Sequence, residues 1–290
     1  MPAQTFKTLH NFDDVNDGRF PDNELTLSNQ ILYGTVQGGG NSYVGTIFSV
    51  KTDGADFTIL HNFSATADPP YTNTDGADPM AGMILSGNTM YGTAYHGGTS
   101  VIGMVFKVNI DGTGFTNLHS FPPVSDVYPR YTNTDGAYPI GGLVLSGETL
   151  YGTSSRGGEW GGGSVFAVNT EGTGFTNLHS FADSDGRSSQ AGLILSGDTL
   201  YGTTYEGGSS VNGAVFKIKT NGGGFTVVHS FTATPRHPSP STNADGANPI
   251  GGVVASSNTL YGTTLSGGSS GYGTVFAVNT DGTGFTNLHV

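Results

Sequence analysis

The chain spells Tyr-Gly-Thr five times, beginning at Tyr33, Tyr91, Tyr151, Tyr201 and Tyr261, so successive spacings are 58, 60, 50 and 60 residues. The text around each triplet also recurs with drift, and residues 141–181 carry the fullest copy. A period of this length filled with short strand-like runs marks a radial or stacked β array. No single copy can bury its own apolar faces, so neighbouring copies must do it.

Each copy reads as four strands. The first is apolar, as in Gly142-Leu143-Val144-Leu145-Ser146, and stops at a tight Ser-Gly-Glu-Thr turn. The second is Leu-Tyr-Gly-Thr plus two or three residues, running into a Gly-Gly loop. The third, Gly-Ser-Val-Phe-Ala-Val-Asn, ends in Thr-Glu-Gly or Thr-Asp-Gly, a hairpin-turn signal. In the fourth, Gly-Phe-Thr-Asn-Leu-His-Ser-Phe, period-two alternation places Phe175, Asn177, His179 and Phe181 on one face. No segment has helical spacing. Four antiparallel strands per copy and five copies predict an all-β, five-bladed β-propeller in one domain. The expected repeats run over about 13–63, 64–121, 122–181, 182–231 and 232–290. The fourth-strand text occurs six times, because Thr5–Phe12 precedes the first full copy, so residues 1–12 form one surplus outer-strand copy. Either the C-terminal copy or the N-terminal one fills the outer position of the last blade. The other becomes an added edge strand, open to pairing with another chain.

Composition narrows the function classes. The chain of 290 residues carries a net charge of −12 and only ten Lys and Arg, scattered singly, so nucleic acid is not an expected partner. Cysteine is absent, which removes disulfides and thiolate metal sites. No apolar run reaches the length of a membrane span, and no signal peptide is legible behind Met-Pro-Ala-Gln. Low Lys with abundant Gly, Thr, Ser and Asn suits an exported protein.

The combined pattern Asp-Gly-Ala-x-Pro, then Leu-Tyr-Gly-Thr-x-x-x-Gly-Gly, then Gly-x-Val-Phe resembles the Gloeo/Verruco ("GloVer") tandem-repeat family over essentially the whole chain. The resemblance implies export and a propeller-like fold. It supplies no catalytic residues. Repeat four departs from the pattern, with Asp185-Gly186-Arg187-Ser188-Ser189 in place of Asp-Gly-Ala-x-Pro.

What repeats is read as structure. The histidines His61, His119, His179 and His229, with His10 and His289 at the ends, are expected to be hydrogen-bonded packing groups rather than metal ligands. The Tyr of Tyr-Gly-Thr is expected between blades. The Asp-Gly pairs at Asp17, Asp75, Asp135, Asp185 and Asp245 read as Asx turns. Their alternative is Ca²⁺ at the crossover turns, disfavoured because no bidentate Glu follows at the calcium-loop spacing. No cofactor and no metal is expected.

What refuses to repeat is read as function. Alignment on the triplet puts Gly38, His96, Arg156, Glu206 and Ser266 at one position, preceded by Gln37, Tyr95, Ser155, Tyr205 and Leu265. These residues fall in the loop between strands two and three, on the face of the inter-blade crossovers. The long crossovers 64–74, 122–134 and 232–244 add Tyr71, Arg130, Tyr131 and His237, and Trp160 lies in the divergent loop of repeat three. One asymmetric site on this face is expected to bind a glycan or other polar polymer. Arg156, Tyr205, Gln37, Trp160, Tyr131 and Arg130 would be its binding residues. The alternative is an enzyme at the same place, a polysaccharide lyase or hydrolase. There His96 or Tyr95 moves a proton, Arg156 holds an anionic group and Glu206 orients or shares the proton. A third reading is an assembly protein, linked through the surplus strand. No nucleophile elbow, metalloprotease helix or phosphate loop accompanies the divergent residues.

Overall fold

A computed structural model of the chain describes residues 6–66, 72–125, 131–234 and 241–290. The described residues form strands, turns and extended links without a helix. The twenty strands make five four-stranded antiparallel sheets, each ordered as in the sequence, the architecture of a five-bladed β-propeller. Blade one comprises β1 (Thr26–Ser28), β2 (Ile31–Val36), β3 (Thr46–Lys51) and β4 (Thr58–Asn62). Blade two comprises β5 (Ile84–Ser86), β6 (Thr89–Ala94), β7 (Met104–Asn109) and β8 (Thr116–Ser120). Blade three comprises β9 (Val144–Ser146), β10 (Thr149–Ser154), β11 (Ser164–Asn169) and β12 (Thr176–Ser180). Blade four comprises β13 (Ile194–Ser196), β14 (Thr199–Thr204), β15 (Ala214–Lys219) and β16 (Thr226–Ser230). Blade five comprises β17 (Val254–Ser256), β18 (Thr259–Thr263), β19 (Val275–Asn279) and β20 (Thr286–His289). The chain divides into two compact units, Met1–Asn117 and Leu118–Val290, with the boundary inside β8.

Inside a blade, the glycine of Tyr-Gly-Thr and the phenylalanine of Gly-x-Val-Phe are one device. Gly152 is the direct cross-strand partner of Phe166, and Gly202 of Phe216. A Cβ added to Gly202 would lie 2.6 Å from the Phe216 ring and 2.8 Å from the Leu193 side chain. The missing side chain therefore lets a fully buried ring lie flat over the second strand. This close approach explains a glycine in mid-strand, where it otherwise weakens the ladder. The Gly-Gly pair that ends strand two has a different reason. Gly207 and Gly208 sit at φ 79° and 76°, in the left-handed region that other residues avoid.

The fourth strand is bulged. Phe166 pairs with Asn177 and Val165 with His179, which leaves Leu178 without a partner. The same shift occurs in β15–β16, β19–β20 and β3–β4. This corrects the expectation of one face for Phe175, Asn177, His179 and Phe181. Phe175 stacks on His119, whereas His179 and Phe181 turn to the following blade and contact Phe225. An extra residue reverses the alternation beyond it.

Blades within each unit are joined by three recurring contacts. The threonine of the triplet donates to a carbonyl of the next blade: Thr35 to Ala81 at 2.9 Å in the first unit, Thr153 to Ala191 at 3.1 Å and Thr203 to Gly251 at 3.0 Å in the second. The triplet tyrosine enters the core shared with the next blade, as Tyr33 does beside Met83 and Met90, and Tyr201 beside Val253 and Leu260. The third contact is the histidine. His61 stacks on Phe115 at 4.0 Å, and its Nε2 meets Asp75 Oδ2 at 3.0 Å. His179 stacks on Phe225 at 3.6 Å and meets Asp185 at 3.1 Å; His229 stacks on Phe285 at 3.8 Å and meets Asp245 at 2.9 Å. His61, His179 and His229 are thus packing groups, as their repetition implied, whereas His289 at the C-terminal end is exposed.

The two ends differ. β20 pairs with β19 and fills the outer position of the last blade. Residues 6–12 add no rung to a sheet. His10 instead stacks on Phe57 at 3.5 Å and meets Asp17 at 2.6 Å, while Phe12 packs on Phe48 and Phe57. The surplus copy thereby takes, on blade one, the seat that the outer strand of a preceding blade takes elsewhere.

Burial pushes the His119 and His229 imidazoles below the ordinary histidine value near 6.5, against the pull of Asp135 and Asp245. The unfolded chain then takes up those protons first as pH falls. Stability from the neutral histidines is complete above about pH 6.5 and declines below it. The thermal midpoint is expected to drop between pH 7 and pH 5, and His229→Gln is expected to flatten that slope. For the glycine device, Gly202→Ala is expected to cost about 1–3 kcal/mol by overpacking. Chemical denaturation should show Gly202→Ala costing less in a Phe216→Leu background, because the shorter side chain makes room.

Candidate functional site

The divergent position is held by backbone hydrogen bonds to the crossover residue that follows each Asp-Gly. Arg156 exchanges two bonds with Ala137 (2.7 and 3.1 Å), and Glu206 exchanges two with Arg187 (2.7 and 3.1 Å). His96 and Ala77 do the same at 2.9 and 3.0 Å, as do Arg19 and Gly38 at 2.8 and 3.2 Å. The pairs are therefore Gly38 with Arg19, His96 with Ala77, Arg156 with Ala137, Glu206 with Arg187, and Ser266 with Ala247. His96, Arg156 and Ser266 face alanine, the Gly38 site is covered by the Arg19 side chain, and Glu206 faces a cation.

The Asn-x-Asp-Gly text anchors this arrangement. Asn133 Oδ1 accepts from the Gly136 and Gly158 amides at 2.8 and 2.9 Å, and Asn243 accepts from Gly246 and Gly268 at 2.9 and 2.8 Å. The crossover turn is thereby pinned to the Gly-Gly loop. The aspartate oxygens have donors of their own. Asp75 receives His61 and the Ser64 amide and hydroxyl. Although burial raises its carboxyl, the bonds from His61 and Ser64 prevail and hold it below the usual aspartate range.

In the second unit, Arg156 and Glu206 line one cavity of about 150 Å³, with Arg187, Ser155 and Ser188. Arg187 Nε donates to Glu206 Oε2 at 2.7 Å, and Nη2 reaches the same oxygen. Arg187 was not among the residues singled out by sequence. Its signal was the departure of repeat four from Asp-Gly-Ala-x-Pro. The loop that follows Arg156 carries Glu159 and Trp160. Both line a second cavity of about 540 Å³, whose other walls include Asn133, Asn177 and Ser180. The Trp160 side chain is 48% exposed. Asn177 donates to the Thr134 carbonyl at 2.7 Å and to Ser180 Oγ at 2.9 Å, while its Oδ1 has no partner among the described residues. One loop therefore separates an aromatic, amide-rich cleft from a cavity lined by two arginines and a glutamate.

The remaining expected residues are placed as follows. Tyr205 is half-buried beside Glu206, and its carbonyl accepts from Asn248 at 3.0 Å. In the first unit, Tyr95 packs edge-on to His96, and His96 Nδ1 meets Asp78 Oδ2 at 2.7 Å. Gln37 is half-buried in the same unit, its amide bonded to the Phe20 carbonyl at 3.3 Å. Tyr131 is 46% exposed. Arg130, Tyr71 and His237 lie outside the described residues. The Arg156–Glu206 pair is the part of the expected constellation that one cavity brings together.

The profile of the Gloeobacter/Verrucomicrobia repeat matches residues 1–129 and 68–241. The chain belongs to this repeat family. No curated protein sequence matches it. Among solved structures, this family member is similar to a chain of the nidogen/laminin complex at 14% identity and a TM-score of 0.51, covering 90% of this chain and 76% of that one. It is also similar to the GH74 enzyme of Niastella koreensis at 19% identity and a TM-score of 0.53, over 93% of this chain. The repeat protein spans 37% of that enzyme's length. These likenesses concern the fold. Among the described residues no helix is long and apolar enough to cross a membrane.

The Arg187–Glu206 pair is partly exposed, and pairs of that kind contribute about 0.2–1 kcal/mol. Arg187→Ala is expected to lower stability within that range. The loss should largely vanish in a Glu206→Ala background, as a double-mutant cycle by thermal melting would read.

Proposed function

We propose that this propeller binds a glycan or similar polar polymer at one asymmetric site, on the blade three and blade four loops of the second unit. The observation that carries the reading is the loop after Arg156. It presents a half-exposed indole beside an amide-rich cleft, and its other side borders a cavity with two guanidinium groups. An indole face stacks on the apolar face of a sugar ring, while Asn and Ser groups satisfy its hydroxyls. Arg156 suits a carboxylate on the same polymer. The position of Arg156 differs in all five copies and Trp160 stands where the other four have serine, so one site rather than five equivalent ones is implied.

Arg187 holds one Glu206 oxygen, which fixes that side chain as a wall of the cavity beside Arg156. A chain poor in lysine and rich in Gly, Thr, Ser and Asn suits a protein working outside the cytoplasm, which is the location we infer.

Titration against a panel of neutral and uronate-containing oligosaccharides tests the proposal. Trp160→Ala is expected to weaken binding at least tenfold, about 1.4 kcal/mol, without moving the melting temperature. Arg156→Ala should weaken uronate-containing ligands and spare neutral ones. Absence of binding across the panel, or full affinity in Trp160→Ala, would overturn it.

A further inference from the structure

Two departures from the repeat meet where blade three joins blade four, and together they make the smaller cavity. On blade three the loop reads Gly161-Gly162, where the other copies carry Tyr43-Val44, Val101-Ile102, Val211-Asn212 and Gly271-Tyr272. A Cβ on Gly162 would crowd the Phe181 carbonyl and lie 3.2 Å from Arg187 Cβ, so the bare loop leaves room for the arginine. On blade four the crossover reads Arg187-Ser188-Ser189, where copies two, three and five have alanine, a variable residue and proline. Arg187 and Ser188 line the cavity, while Ser189 turns inward and donates to the Thr203 carbonyl at 2.8 Å.

The two guanidinium groups of this cavity are not equivalent. Arg187 is committed, with Nε and Nη2 on Glu206 Oε2 and Nη1 at 3.9 Å from Asp183 Oδ1. Arg156 is exposed, and its guanidinium has no hydrogen bond or ion pair among the described residues. Glu206 Oε1 is likewise without a donor among them. The cavity therefore presents one guanidinium fork and one carboxylate oxygen. A fork matches the two oxygens of a planar carboxylate, and an ionised carboxylate oxygen accepts from a hydroxyl. The volume of about 150 Å³ is below the roughly 300–1,000 Å³ of pockets that enclose a whole small ligand, so the occupant is part of one sugar.

We propose that this cavity is a subsite for the carboxylate and a neighbouring hydroxyl of one uronate residue, and that Glu206 determines its specificity against sulfate esters. Glu206 acts in two ways. By holding Arg187 it leaves Arg156 as the available fork, and its own charge repels a sulfate ester that has no proton to donate there. A uronate meets the same charge with a hydroxyl. Discrimination thus comes from a repulsive group as well as an attractive one. The proposal rests on the reading of Arg156 as the carboxylate-binding group of the glycan site.

Titration of the full chain with glucuronate and with glucose 6-sulfate, followed by the NMR signals of the arginine side chains, tests it. The Arg156 signal is expected to respond to glucuronate at lower concentration than to the sulfate ester, and Arg156→Ala should lose glucuronate binding. Glu206→Ala should shift the ratio of the two affinities roughly fivefold towards the sulfate ester, the effect of one partly exposed charge pair. In Glu206→Ala/Arg187→Ala the gain for the sulfate ester should disappear. Silence of the Arg156 signal towards glucuronate, equal affinities in the unaltered chain, an unchanged ratio in Glu206→Ala, or a gain that persists without Arg187 would each overturn the proposal. Should Glu206→Ala fail to fold, Glu206→Gln keeps the shape and removes the charge, and the same shift in ratio decides. Single sugars are used so that the two readings fail separately. An oligosaccharide panel without binding beside a responsive Arg156 sinks the polymer reading alone, and the converse sinks this subsite alone.

Discussion

His61, His179 and His229, which close the outer strands of blades one, three and four, each make two contacts on which the packing of neighbouring blades within a unit depends. Each ring lies flat on the phenylalanine that opens the next blade's outer strand, and its Nε2 reaches the aspartate of the intervening crossover. One side chain thus fixes both the packing of two sheets and the path of the link between them. Burial keeps the His119 and His229 rings below their ordinary titration range. Asp75 and Asp245 in turn accept from amide and hydroxyl donors at the start of the crossover, which braces the link.

Upon that brace sits the pairing of the divergent loop residue with the crossover residue. Two backbone hydrogen bonds place the members of each pair side by side, and their side chains then adjust to one another. In blade four the outcome is an ion pair; in blade three a large cation stands opposite alanine. A constant backbone frame with variable side chains is what allows one loop to become a binding feature while its counterparts stay plain.

The architecture was legible in the sequence because its signals are local and repeated. Strand count, turns and the Gly-Gly loops follow from periodicity and from residues that tolerate positive φ. The inter-blade role of the tyrosines and histidines followed from repetition alone. The side assignment in the fourth strand was not legible, because a bulge at Leu178 inserts one residue that no alternation rule anticipates. Arg187 escaped because attention fell on one column of the alignment, while its partner column, about 19 residues earlier in the chain, became visible once the backbone bridge was known. The proximity of Arg156 to Glu206 likewise required the coordinates, since it depends on the stacking of blades three and four.

The threonine hook and the histidine stack each join only consecutive copies, and every junction is made from the same few residue types. Inserting or deleting a whole copy therefore adds or removes one junction and leaves the chemistry of the others intact. Unequal crossing-over within such a gene would duplicate or remove whole copies whose junction residues already match their new neighbours. Side chains of the loop between strands two and three, in contrast, diverge one copy at a time.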